Sequence, residues 1–559
     1  MGTTTVTKAA VRTGARLLVD SLEAQGVKHI FGIPGAKIDS VFDTLLDSSI
    51  QTIVCRHEQN AAFIAGGIGR MTGKAGVVLV TSGPGVANLA TGLATATSEG
   101  DPIVAIGGAV PLERALKQVH QSMDQVALLR PVTKFSAEIE SADTINEVVA
   151  NAFRIAESGR PGAAYINARQ DIMVGEGHGE VLTPVSPTNS GAADTFAIAE
   201  AAELINGAER PVVLLGLLAS QPENTKAVRK LLGKARLPVV GTYQAAGVVS
   251  RELSDLYGGR IGLFHTQPAD KLLDGADLVV TVGYDPVEYE PSLWNKGLNR
   301  KLIHIDAVSS DIDRDYHPQI QLIGDIAATL DALSGELKVR TLTSELAFLK
   351  EIALEREEFA KKAADMNGTP VHPLRLVHEL QKLLTDDTTL CSDMGSFHIW
   401  LARYLYSFRA RQVLITNGQQ TLGVALPWAI AASLVRPNEK VISLSGDGGF
   451  LFSAMELETA VRLKCNLVHI VWIDGSYDMV RFQQMSKYGR AAAVDFGPVD
   501  VVKYAEAFGA HGMHIQTPDE IVPTLKRALA LQGPVLIGIP VDYRDNLKLT
   551  TGLHPDVLV

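Results

Sequence analysis

Cysteine is scarce in this 559-residue chain: Cys55, Cys391 and Cys465 are all there is, far apart and odd in number. They offer no disulfide framework and no Cys-x-x-Cys metal site, and the expected compartment is a reducing one, the cytoplasm. Basic charge is also short, with 51 Lys and Arg against 62 Asp and Glu and a net charge of −11. Phosphate-backbone binding needs clustered cations and a membrane surface needs a polybasic face, so neither nucleic acid nor membrane is an expected partner. Long apolar runs are missing too. Ala75 to Ser98, one of the two longest uncharged stretches, is broken by Ser82-Gly83-Pro84-Gly85 and Asn88, and reads as strand, tight turn and helix instead of a membrane span. Met1 to Val6 has valine where a myristoylation signal requires Ser or Thr, and no signal peptide is evident, so an unanchored protein is expected. The middle of the chain has no GxGxxG dinucleotide loop.

What is present is an ordinary globular composition, 46% hydrophobic and 20% charged, which permits large cores. At about 150 residues per domain the length suggests three or four domains, and three is the working count. One rhythm recurs in three blocks: a short β-branched strand, a glycine-containing turn, then an alanine-rich helix, the pattern of parallel α/β sheets. Strands are expected at 51–55, 77–81 and 102–107, at 211–216, 238–242, 276–283 and 302–306, and at 388–391, 412–416, 441–444 and 466–472. A polar Pro/Ser/Gly/Thr-rich passage from Pro184 to Thr195 reads as a linker, and the charged stretch from Ser344 to Lys362 as a helix bridging the second and third blocks. The expected fold is α/β, with three doubly wound parallel-sheet domains at 1–183, 196–343 and 370–545.

The most informative segment is Val441 to Phe450, an apolar strand running into Ser445-Gly446-Asp447-Gly448-Gly449, with a helix expected from about Phe452. Glycines there let backbone N–H groups approach phosphate oxygens, and Asp447 falls at a strand's carboxyl end, where open parallel sheets bind ligands. Asp474 takes the corresponding place on the next strand, 27 residues on, followed by Gly475-Ser476-Tyr477. Two such carboxylates with a turn carbonyl and phosphate oxygens would give Mg²⁺ an octahedral oxygen shell. Taken alone, a Gly-Asp-Gly can equally be a plain tight turn.

In combination these motifs resemble the thiamine-diphosphate enzyme family, whose mark is Gly-Asp-Gly followed some two dozen residues later by Asn-Asn. Asp474-Gly475 departs from the asparagine pair but keeps an oxygen ligand and adds a charge. The resemblance implies Asp447, Asp474 and Ser476 as metal ligands. It implies Gly395, Ser396, Phe397, Gln420, Leu422, Asp447, Gly448, Gly449, Ser476, Tyr477, Asp478 and Met479 as cofactor contacts in the third block, with Pro84 and Asn88 forming a ring shelf in the first. Arg56 to Ala62 matches the segment carrying the activating glutamate, here Glu58, which would protonate the aminopyrimidine N1′. Read without the family, Glu58 is a good helix N-terminal acid and Leu422 is as readily core. In the resembling enzymes the first domain of one chain meets the third domain of another at the cofactor, which implies a homodimer or homotetramer.

Within the family the similarity is greatest to the catabolic, flavin-independent acetolactate synthases, through residues 31–37, 117–124, 393–400 and 477–480 with Gln483 and Gln484. The implied reaction decarboxylates one pyruvate and condenses the hydroxyethyl fragment with a second, giving 2-acetolactate and CO₂ for acetoin- or butanediol-type catabolism. Gln121 would lie near the reacting carbon, Lys37 and Gln483 are candidates to orient the second pyruvate, and His120 is a candidate to move protons. Decarboxylases of the family carry His-His where this chain has His120-Gln121, so carboligation is expected over a 2-keto acid decarboxylase or pyruvate oxidase-like activity. Flavin-binding relatives carry Arg-Phe-Asp-Asp-Arg where Gly283 to Tyr289 stands here, so no FAD is expected. A regulatory protein that merely kept the fold should lack the glutamate, and Glu58 speaks against it. Arg169 stands where relatives usually have proline.

Overall fold

The β-branched runs form strands and the alanine-rich runs the helices between them. The computed structural model describes residues 11–115, 117–184, 190–263, 265, 267–297, 300–342 and 344–550. The N-terminal hexapeptide and residues 185–189 of the linker lie outside them. The chain divides into two units, Met1–Thr188 and Asn189–Val559.

In the first unit the strands are β1 (Arg12–Thr13), β2 (His29–Ile33), β3 (Gln51–Val54), β4 (Gly76–Val80), β5 (Ile103–Ala109), β6 (Phe135–Glu138), β7 (Ala163–Arg169) and β8 (Glu176–Gly177). β1 and β8 make a small antiparallel pair. The other six form one parallel sheet in the order β3-β2-β4-β5-β7-β6. Leu17, Leu22, Val149 and Phe153 of two helices pack on Val77, Leu79 and Ile106 of the sheet. Chain direction across the sheet reverses between β2 and β4, which makes the crevice beyond their carboxyl ends the place for a ligand.

The second unit holds two further parallel sheets. β9 (Pro211–Leu215), β10 (Val239–Thr242), β11 (Tyr257–Ile261), β12 (Leu278–Val282), β13 (Lys301–Asp306) and β14 (Ile320–Ile323) are ordered β11-β10-β9-β12-β13-β14. Asp194 opens this unit's first helix, Thr195–Gly207, by accepting from the N–H groups of Phe196 and Ala197. The bridging helix spans Ser344–Ala364. β15 (Thr388–Ser392), β16 (Val413–Leu414), β17 (Lys440–Gly446), β18 (Leu467–Ile473), β19 (His511–His514) and β20 (Val535–Pro540) are ordered β16-β15-β17-β18-β20-β19. This order is that of the first unit's sheet, whereas the middle sheet winds differently.

Two expectations need correcting. The strand placed at 412–416 shrinks to Val413–Leu414, because only these residues pair with Leu390 and Cys391 at the sheet's edge before the chain leaves for the Asn417–Leu422 loop. The helix placed from about Phe452 begins at Asp447, so Gly448 and Gly449 are its first turn and not a preceding one. Neither glycine has positive φ. Close approach explains both: a Cβ on Gly448 would lie 2.7 Å from the Tyr477 ring, and one on Gly449 2.9 Å from the Asp393 carboxylate.

Candidate functional site

Register sets the centre of the third sheet's site. Gly446 pairs with Trp472 across β17 and β18, so Asp447 and Asp474 emerge at adjacent strand ends. Asp447 Oδ2 accepts from the Gly475 N–H at 2.8 Å and the Asp474 N–H at 3.2 Å, and its Oδ1 from Gly448 at 3.0 Å. Asp474 accepts from the Ser476 hydroxyl at 2.5 Å. Asp478 accepts from Ser396 Oγ at 2.5 Å and from the Asn546 amide. Burial raises the Asp447 and Asp478 carboxyls, and burial with the charges of Asp447 and Asp478 pushes Asp474 up to about 7. The neighbouring guanidinium of Arg481 is drawn towards Asp495.

These groups surround a cavity of about 240 Å³. Its wall contains every third-block residue singled out from sequence: Gly395, Ser396, Phe397, Gln420, Leu422, Asp447, Gly448, Gly449, Asp474, Ser476, Tyr477, Asp478, Met479 and Gln483. Met394, Gly446, Val480 and Tyr543 complete the wall and were not foreseen. Leu422 is half-buried at this surface and not in the core. Gln420 has φ +49°, an uncommon conformation for a residue with a side chain, which turns its backbone towards the cavity rim.

Beneath the loop sits Asp393, which sequence reasoning passed over although it follows β15 as Asp447 follows β17. It is 1% exposed, and its carboxylate accepts from the N–H groups of Met394 (2.9 Å) and Gly423 (2.9 and 3.0 Å), tying the Gln420–Leu422 loop to the sheet. Burial pushes its carboxyl up to about 7. Among the described residues no three His, Cys, Asp or Glu side chains group to hold a metal ion. Of the cavity's three carboxylates, Asp447 and Asp474 stand together at adjacent strand ends while Asp478 is engaged by Ser396 and Asn546, so further ligands must be backbone or ligand oxygens. A diphosphate would be repelled by three carboxylates unless a cation came with it, and an oxygen-only donor set suits Mg²⁺.

In the first unit Glu58, Pro84, Asn88 and Gln121 are brought together at the ends of β3 and β4, whereas no hydrogen bond or ion pair among the described residues joins Lys37 or His120 to them. Glu58 heads the helix Glu58–Thr72 directly after β3; it is 8% exposed, and its Oε2 accepts from Asn88 Nδ2 at 2.9 Å. Pro84 starts the short helix Pro84–Ala87 after β4, with Asn88 at its end. Gln121, with φ +61°, accepts from Ser82 Oγ at 3.2 Å. Lys37 is half-buried beyond β2 and has no ion-pair partner among the described residues, while His120 is exposed and makes no such contact either.

The middle sheet's crevice, between β9 and β12, is closed. A Cβ on Gly216 would lie 2.3 Å from Tyr284 Cα and 2.7 Å from Glu288 Oε1. The buried Glu288 carboxylate takes the Leu217 N–H (2.9 and 3.0 Å), the Asp285 N–H (3.0 Å) and the Thr242 hydroxyl (2.6 Å), donors that a bound phosphate would otherwise use. Burial pushes its carboxyl up to about 8. No described helix is long and apolar enough to cross a membrane.

Three family models match the chain: the thiamine pyrophosphate enzyme N-terminal TPP binding domain over residues 12–128, the central domain over 198–333 and the C-terminal TPP binding domain over 393–539. A catabolic acetolactate synthase of Raoultella terrigena is 53% identical over 543 residues, covering 97% of both chains. An acetolactate synthase of Bacillus subtilis is 52% identical, covering 97% of this chain and 95% of its own. The acetolactate synthase isozyme 2 large subunit of Escherichia coli is 31% identical, covering 96% of each. With three matching domains in order and such identity along nearly its whole length, this chain belongs to the thiamine pyrophosphate enzyme family, in its acetolactate synthase branch.

Proposed function

We propose that the chain decarboxylates one pyruvate and joins the two-carbon fragment to a second, releasing 2-acetolactate and CO₂, with thiamine diphosphate held through Mg²⁺ and without flavin. The observation that carries this reading is the acidic cavity, where Asp447 and Asp474 stand at adjacent strand ends beside Gln420, Leu422 and Gln483. Asp447 and Asp474 would hold the metal; the Ser476 hydroxyl is engaged by Asp474, so Ser476 would contribute its carbonyl. The amide groups of Gly448 and Gly449 in the helix's first turn would face the diphosphate, with Gly395, Ser396, Phe397, Tyr477, Asp478 and Met479 around it.

When bound, thiamine diphosphate supplies a carbon nucleophile and a sink for the electron pair left by CO₂. Glu58, oriented by Asn88, would hold and return the proton at the aminopyrimidine N1′. Pro84 would shelve that ring, the Gln420 carbonyl would accept from its 4′-amino group, and Leu422 would fill the space under the thiazolium. Lys37, a cation with no carboxylate partner among the described residues, suits a pyruvate carboxylate; Gln483 and Gln121 offer amides to a keto oxygen, and the exposed His120 would be the group to move protons.

The closed middle crevice supports a central domain that takes no flavin. Domain limits at 1–183, 196–343 and 370–545, and a homodimer or homotetramer sharing sites between chains, complete the proposal. Three buried cysteines, none in a disulfide, suit a reducing cytoplasm. The deciding experiment incubates purified protein with pyruvate, Mg²⁺ and thiamine diphosphate, with no flavin added. Acetolactate and CO₂ in equal amounts are expected; acetaldehyde or acetyl phosphate as the product would overturn the assignment.

A further inference from the structure

Arg169, at the end of β7, is the outer member of a hydrogen-bonded chain through the interior of the first unit. Its guanidinium grips Glu138 of β6 twice, Nε to Oε1 at 2.5 Å and Nη2 to Oε2 at 2.9 Å, and donates from Nη1 to the Val110 carbonyl at 2.9 Å. Glu138 Oε2 also accepts from Asn167 Nδ2 at 2.9 Å. Asn167 Oδ1 accepts from Gln125 Nε2 at 2.6 Å and from the Tyr165 hydroxyl at 2.8 Å. Gln125, 2% exposed, gives its other amide hydrogen to the Gly108 carbonyl at 2.9 Å, and its Oε1 accepts from the Gly83 N–H at 2.7 Å.

Every amide in this chain has its orientation dictated by its neighbours. Glu138 can only accept while paired with Arg169, so Asn167 must present its NH₂ to it; the Asn167 oxygen then faces the Gln125 NH₂, and the Gln125 oxygen faces Gly83. The donors thus all point towards Glu138, an arrangement in which each bond polarises the next. Removing the guanidinium would leave a half-buried carboxylate uncompensated at the head of the series.

The inner end, Gly83, is where the candidate catalytic groups converge. Gly83 has φ +65°, and a Cβ there would meet Gln121 Cβ at 3.1 Å and Cα at 3.2 Å, so the Gly83 turn and the Gln121 loop lie in contact. Gly83 also caps the helix Pro84–Ala87, whose far end carries Asn88 and hence the bond to Glu58. Behind the loop lies a cavity of about 270 Å³ bordered by Gln121, Gln125, Glu138, Asn167 and Arg169. On that side Gln121 borders open space, and it is held by the Ser82 hydroxyl and by contact with the Gly83 turn, whose N–H is bound to Gln125.

We propose that Gln125 is a positioning residue for the reaction, holding Gln121 and the Pro84–Asn88 turn through the Gly83 N–H, and that Arg169 anchors it by neutralising Glu138. This rests on the reading that Gln121, Asn88 and Glu58 address cofactor and substrate. Gln125→Leu deletes the bond to Gly83, Gln125→Glu keeps an acceptor for it but loses the donors to Asn167 and Gly108, and Arg169→Met releases Glu138 with little change in volume.

The variants are compared by kcat and KM for pyruvate, by thiamine diphosphate affinity, and by amide hydrogen exchange at Gly83 without cofactor. Misplacement of this kind lowers kcat by about tenfold to 100-fold. We expect that loss in Gln125→Leu, with KM and cofactor affinity within about threefold and faster exchange at Gly83. Gln125→Glu should fall between Gln125→Leu and the parent, and Arg169→Met should show the same pattern. Unchanged kcat despite faster exchange overturns the proposal, as does a rise in KM alone. Should Gln125→Leu fail to fold, Gln125→Glu and Arg169→Met decide in the same way. A parent protein that makes no acetolactate would instead overturn the proposed reaction, while exchange at Gly83 would still report on the hydrogen-bonded chain.

Discussion

Replacing Glu58 by glutamine changes one proton and almost nothing else, which makes it the most discriminating substitution in the first unit. The side chain is 8% exposed, heads the helix Glu58–Thr72, and takes one hydrogen bond, from Asn88 Nδ2 at 2.9 Å. A carboxamide has the same shape, and its oxygen can keep that bond. The structural loss is limited to a negative charge at a helix N-terminus, about 0.3–1 kcal/mol. The catalytic loss should be far larger. Glutamine cannot take or return a proton, and a positioned acid–base group is worth about 10²- to 10⁴-fold in rate, or about 2.7–5.5 kcal/mol of barrier. The proposed diphosphate clamp uses other residues, Asp447 and Asp474, so cofactor affinity should move by less than about tenfold, or 1.4 kcal/mol. Acetolactate formation at saturating thiamine diphosphate gives the first quantity and a calorimetric cofactor titration the second. Turnover within about threefold of the parent, or a rate restored by excess cofactor, would refute the role given to Glu58.

Three further predictions address other parts of the molecule. Because Asp474 is pushed up to about 7, protons compete with Mg²⁺ below that pH, and the Mg²⁺ concentration for half-maximal cofactor binding should rise about tenfold per pH unit as pH falls from 7 to 5.5; a flat dependence would mean that Asp474 either is ionised throughout or takes no part in holding the ion. Gly449→Ala sets a methyl 2.9 Å from the Asp393 carboxylate that holds Gly423, so thiamine diphosphate should bind at least about tenfold more weakly in a calorimetric titration, with the folded circular-dichroism spectrum kept. Glu288 is raised from 4.5 to about 8 on folding, so its contribution to stability is complete below about pH 4.5 and is lost as pH rises through about 8, at about 1.4 kcal/mol per unit between the two. Glu288→Gln should flatten that part of the stability–pH profile in urea unfolding between pH 5 and 8; an unchanged slope would mean that the carboxylate is already ionised throughout.

Much of the second unit's site was legible because its determinants are local: a strand end, a glycine pair, and a second aspartate at the equivalent place one strand over. What escaped was long-range. Asp393 reaches the cofactor loop through Gly423, 30 residues away in sequence, and Tyr543 comes to the wall from beyond β20. Both positions follow from the order of strands, and periodicity reveals strands without their order. The identical order of the first and third sheets, against the different winding of the middle one, was unreadable for the same reason. Edge strands were missed on other grounds. β11 contains Gly258-Gly259-Arg260 and β19 reads His511-Gly512-Met513-His514, so neither carries the β-branched run that marks a central strand, although β11 is buried throughout.

The helix that begins at Asp447 shows why local rules failed where they did. Gly448 and Gly449 are each about 1 kcal/mol poorer in a helix than alanine, which is why the sequence suggests a turn there. Their helical conformation is held by tertiary contact: the helix start lies against the Tyr477 ring on one side and the Asp393 carboxylate on the other, with no room for a side chain on either glycine. The same closeness leaves bare backbone at Gly448 and Gly449 to face the cavity beside the Asp447 carboxylate. Gln420 and Gln121 likewise keep positive φ at positions where asparagine or glycine would relieve it. Positive φ also occurs at Arg236, Leu263, Arg411, Lys464 and Ala493, none of them in the cavity wall, so local preference yields at the cavity rim and at the Gly83 turn as it does elsewhere, and it is the convergence of such a departure with carboxylates and close-packed glycines that singles out the rim.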